Sequence, residues 1–156
     1  MTCAARWSCR QPAGKGNTPE CRRRRYLGSL LAIFKGEPKG ALWLECLQSA
    51  AEAGTLLVSS VVLAEIRSFF PSDNACRKAL RDLGLRHSAL TEEASLLAGK
   101  IFRAYRHEGG PRKVILPDFL IAAHAAAQAE WLATEDRGYV RTYFPAIRLL
   151  TPPTST

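Results

Sequence analysis

From Leu27 to Leu150 apolar residues recur at short intervals, whereas residues 1–26 contain no Val, Ile, Leu or Phe. A stretch without large aliphatic side chains builds no core, so the folded body is expected over residues 26–152, between an arm (1–25) and a short tail (153–156). Ser29–Lys35 is a short apolar segment stopped by Gly36-Glu37-Pro38. Within Ala41–Ala53, Leu42, Leu44, Leu47 and Ala51 stand at helical spacing, and Gly54 marks a stop. Thr55–Val58 is a β-type run, after which Ser59-Ser60 can cap a helix over Val61–Phe70. Pro71-Ser72-Asp73 restarts the chain as a helix to about Leu83, and Arg86–Leu90 suits a strand. Thr91 is a good N-cap, and Glu92 and Glu93 suit the positive first turn of a helix running to about His107. Gly109-Gly110-Pro111 ends it, and Pro117-Asp118 opens an alanine-rich helix to about Glu130. Trp131–Thr134 reads as a buried strand, Arg137–Tyr143 as a short helix and Ile147–Leu150 as a last strand. Strands alternating with helices imply parallel pairing, hence an α/β domain in three α/β/α layers around a mostly parallel sheet. Ligands in such sheets bind outside the carboxyl ends of the strands.

A chain of 156 residues suits one domain. Its net charge of +8 is uneven: residues 1–28 carry +6 and the remainder only +2. Two readings of the arm stand side by side, a basic segment that neutralises phosphates and a disordered tail without a role. No run approaches the roughly 18 to 20 apolar residues of a membrane span. With no apolar signal region near the start and an odd count of five cysteines, a reducing cytoplasm is expected. Cys3, Cys9 and Cys21 lack the paired spacing of a zinc site, and Cys46 and Cys76 suit packing. No nucleophile elbow or phosphate-binding loop is present. Lys100, Arg103, Arg106, Arg112 and Lys113 suit either an RNA-facing patch or a solvated helix face.

Three carboxylates stand where a strand has ended or a helix begins: Glu65, Asp118 and Asp136. Glu65 is flanked by Leu63, Ala64 and Ile66, and Asp118 by Leu116, Phe119 and Leu120. Acids in such settings are costly to bury without a compensating cation. Oxygen ligands suit Mg²⁺ or Mn²⁺, which could activate water against a phosphodiester. Taken singly, each reads more readily as an ordinary first-turn helix acid or, for Asp136, a turn residue than as a site residue.

The combination is more specific. Ser59-Ser60-Val61-Val62-Leu63-Ala64-Glu65 resembles the second motif of the PIN domain nucleases, and Pro117-Asp118-Phe119-Leu120-Ile121-Ala122-Ala123-His124-Ala125 their third. Leu132-Ala133-Thr134-Glu135-Asp136-Arg137-Gly138-Tyr139 is similar to their carboxyl-terminal segment, and Ser29–Pro38 to their opening helix and turn. The resemblance implies a domain that cleaves RNA with Mg²⁺ or Mn²⁺. In many members it is the toxin of a VapBC-type pair, held by a cognate antitoxin and assembled as a homodimer. It further implies acidic site residues at Glu65, Asp118 and Asp136, with Asp118 a direct metal ligand, and an orienting hydroxyl at Thr134. The alternative reading is a catalytically inactive PIN scaffold that binds antitoxin or RNA.

One departure stands out. The family opens with a hydrophobic strand ending in Asp-Thr-Ser, whose Asp is a metal ligand. Counting back from Leu30 places Tyr26 at that position and Arg22–Arg25 in the strand. Tyrosine offers no carboxylate, and guanidinium groups are strongly disfavoured in a buried strand. The residues Arg22 to Gly28 can be encoded CGT CGT CGT CGA TAC CTC GGC. One base later the same string reads Val-Val-Val-Asp-Thr-Ser and begins an Ala codon. Residues before about Ser29 are therefore expected to be read out of frame.

Overall fold

The computed structural model describes residues 24–27, 30–111, 114–135 and 138–152. Among them, five strands form one sheet: β1 (Arg24–Leu27), β2 (Thr55–Ser59), β3 (Leu85–Ser88), β4 (Trp131–Ala133) and β5 (Arg148–Leu150). Their order is β3-β2-β1-β4-β5, and each neighbouring pair is parallel. The connecting helices are α1 (Leu30–Phe34), α2 (Gly40–Glu52), α3 (Ser60–Arg67), α4 (Asp73–Asp82), α5 (Glu92–His107), α6 (Leu116–Gln128) and α7 (Gly138–Tyr143). Leu56, Leu57, Val58 and Ser59 are buried in succession along β2. Successive strand residues point to opposite faces, so both faces of the sheet are covered, as a layered α/β arrangement requires.

Side-chain caps set several helix starts. Ser59 Oγ accepts from Val62 N (3.1 Å), Ser72 Oγ from Ala75 N (3.2 Å) and Thr91 Oγ1 from Ala94 N (3.2 Å). Each satisfies a backbone donor that the helix itself leaves open, a contribution of about 1 kcal/mol. α3 ends three residues before the expected Phe70, because Phe69 N and Phe70 N bond back to Ile66 O and Arg67 O in tight turns. Arg67 Nη1 holds that turn by donating to Phe70 O (2.7 Å). β1 runs over Arg24–Leu27, two residues later than the Arg22–Arg25 expected from the family register.

Trp43, Phe119, Leu30, Leu56, Ile66 and Leu132 are among the largest fully buried side chains, each stabilising by about 1.5 to 3 kcal/mol. Phe119 of α6 packs against Phe102 and Tyr105 of α5 and Tyr139 of α7, with centroids 5.1–5.2 Å apart. His124 is wholly buried, its Nε2 3.1 Å from Ser88 Oγ, and burial pushes its pKa below the usual histidine value. It is a packed core residue on an alanine-rich helix. Cys46 is half-buried, and Cys76 is a buried free thiol.

α2 starts hard against α1. A Cβ at Gly40 would lie 2.8 Å from Ala32 O and 3.3 Å from Ile33 Cα, both backbone atoms unable to swing aside. Gly40→Ala is therefore expected to destabilise the fold by about 1 to 3 kcal/mol. Urea unfolding measures this, and an unchanged midpoint would show that the two helices separate freely.

Candidate functional site

β1 lies between β2 and β4: the chain first builds the β2-β3 half of the sheet and then crosses over to the β4-β5 half. Ligand crevices in open parallel sheets form at such a switch, outside the carboxyl ends of the strands. α3 begins directly after β2, and Thr134 directly follows β4.

Val62 and Ile66 bury one side of α3, leaving Glu65 on the exposed side of the same helix. Asp118 sits in the first turn of α6, half-buried, with its Oδ2 accepting from Ile115 N (2.8 Å). Its backbone oxygen accepts from Tyr139 Oη (3.0 Å), which ties α7 to the start of α6. Glu65 and Asp118 interact: the Glu65 pKa is raised first by partial desolvation and then by the Asp118 charge, while Lys35 pulls it down. Two acids distant in sequence thus share one electrostatic neighbourhood. Thr134 is half-buried just beyond β4. Asp136 lies outside the described residues, as do Arg112 and Lys113 of the basic cluster. Lys100, Arg103 and Arg106 are exposed on α5.

Two contributors escaped the sequence reading. Glu135 Oε1 accepts from the buried Trp43 Nε1 (2.9 Å), and its Oε2 from Lys39 Nζ (3.2 Å), joining the segment after β4 to α2. Lys35 sets the charge around Glu65 from the far end of α1. Nothing in local spacing links residues 92 positions apart, although a buried indole N–H demands some acceptor.

Asp118→Asn is expected to lower the Glu65 pKa without returning it to the ordinary value, since desolvation remains the larger cause. Because folding raises this pKa, Glu65 opposes folding increasingly as pH climbs from its unfolded value through its folded one. NMR titration of the Glu65 side chain checks the coupling; an identical titration in the variant would separate the two carboxylates.

The PIN domain profile matches residues 28–145, and the chain belongs to the PIN domain family. The fold resembles that of VapBC2 from Rickettsia felis, solved bound to a DNA fragment from their promoter (23% identity, TM-score 0.59, 83% of this chain and 99% of that one). It is similar to DNA-bound VapBC from Salmonella typhimurium (18% identity, TM-score 0.58, covering 83% and 98%). FitAcB from Neisseria gonorrhoeae shares the fold as well (18% identity, TM-score 0.52, covering 81% and 96%). Comparison with curated proteins gave no significant sequence match.

PIN domains are generally metal-dependent, so the donor set bears directly on chemistry. Among the described residues no three His, Cys, Asp or Glu side chains gather into a metal site. Near the carboxyl end of the central strand stands Tyr26, which brings no carboxylate. Among the described residues, no helix is long and apolar enough to cross a membrane.

Proposed function

We propose that this protein is a toxin-type PIN endoribonuclease by descent, acting on RNA phosphodiester bonds, whose present chain retains the scaffold and part of an acidic site. The observation that carries the reading is the family match over residues 28–145; beside it, α3 packs against α6 and the Asp118 charge helps to raise the Glu65 pKa. Within this reading Glu65, Asp118 and Asp136 form the acidic set for Mg²⁺ or Mn²⁺, and Thr134 orients it. The structural neighbours are VapBC and FitAB proteins, which supports a cognate antitoxin as partner; a homodimeric toxin and a cytoplasmic setting belong to the same proposal.

A second reading is a scaffold that binds antitoxin or RNA without cutting; its support is Tyr26, which stands in β1 where the family carries an aspartate. Incubation with single-stranded RNA and Mn²⁺ separates the two. Cleavage abolished by EDTA and by Asp118→Asn supports the nuclease, and binding without cleavage supports the scaffold. Cleavage that survives both treatments would overturn the site assignment.

A further inference from the structure

We propose that the codons before Ser29 are translated out of their original frame, and that the adjacent frame encodes the strand for which this fold was built. The first observation is positional. β1 is the central strand, with Arg25 in register with Leu56 on one side and Trp131 on the other, and Tyr26 with Leu57 and Leu132. A strand with parallel neighbours on both sides and helices on both faces reads as a continuous apolar run. Its two neighbours obey that rule, as TLLVS and WLA. β1 reads RRYL, and two further arginines precede it. Guanidinium groups are disfavoured in the middle of such a sheet unless paired.

The second observation is where family likeness begins. The PIN domain profile covers residues 28–145, taking in β2, β3 and β4 and omitting β1 at one end and β5 at the other. The likeness starts within one residue of Ser29, the point at which composition changes from arginine-rich to aliphatic. A strand that had merely diverged would carry scattered substitutions, whereas a frame change replaces every residue upstream of one point.

The third observation comes from the genetic code. Among the synonymous codons for Arg22–Gly28, a set can be chosen that, read one base later, spells three valines and then an aspartate. Counting back from Leu30, the valines fall on positions 23–25 and the aspartate on position 26. The apolar run then occupies the central strand, and the acid stands near its carboxyl end, at the switch point toward which α3 and α6 bring Glu65 and Asp118. The same shift thus corrects the strand and supplies the carboxylate that the described donor set lacks.

Nucleotide sequencing across codons 22–29, from the source DNA and from its transcript, tests this independently of any activity. The expected result is a shifted frame that stays open through these codons and reads as an apolar run ending in an Asp codon aligned with position 26. A stop codon, a charged residue within the run, or the absence of that Asp overturns the proposal, even if the ribonuclease reading stands. If instead the shifted frame reads as expected and the protein with its strand restored still fails to cleave RNA, the ribonuclease reading fails alone.

Discussion

Restoring the central strand is expected to raise RNA cleavage by at least about a hundredfold over the chain as written. The restored protein carries Arg23→Val, Arg24→Val, Arg25→Val, Tyr26→Asp, Leu27→Thr, Gly28→Ser and Ser29→Ala. Changes one layer removed from a metal ligand already cost about 10- to 100-fold in affinity or activity, so an absent ligand should cost at least the upper figure. Mg²⁺ also demands near-octahedral order, which the remaining acids supply less well. Glu65 and Asp118 repel each other as the chain stands, and Lys35 offsets only part of that repulsion. Initial rates on one fluorescent RNA, at matched protein and Mn²⁺ concentrations, measure the ratio. Equal rates would mean that position 26 takes no part in the chemistry.

The second large effect is on stability, with no catalysis involved. Arg24→Val with Arg25→Val should stabilise the fold by about 1 kcal/mol, because a strand with parallel neighbours on both sides favours β-branched apolar residues. For a domain of this size each kcal/mol moves Tm by about 2 to 4 °C. Both positions lie in the central strand, Arg25 between Leu56 and Trp131. The same two changes at Arg103 and Arg106, exposed on α5, should leave Tm almost unmoved. A lower Tm for the β1 variant would show that these arginines are satisfied where they stand.

Much of this fold is visible in the one-dimensional pattern because local signals agree with tertiary ones. Ser59, Ser72 and Thr91 cap the helices that follow them, and TLLV and WLA are apolar because both faces of their strands are covered. Glu65 and Asp118 stand out for a related reason: each is an acid flanked by apolar residues in a helix, Glu65 in the one that follows β2 and Asp118 in the first turn of α6. The end of α3 was not visible, since it depends on Arg67 reaching Phe70 O, a contact that propensity does not encode. Nor was the bond between Trp43 and Glu135, made by residues 92 positions apart. β1 is the instructive case. Its composition argues against a strand, and only the family register and the two waiting neighbours, β2 and β4, identify its place.

The most direct measurement is the position of Mn²⁺ by anomalous diffraction in crystals of the restored protein and of the chain as written. The account predicts a peak about 2 to 2.5 Å from carboxylate oxygens of Asp118 and of the residue at position 26 in the restored protein, and no peak there in the chain as written. An equal peak in both proteins, or a peak remote from Asp118 and Glu65, would contradict it.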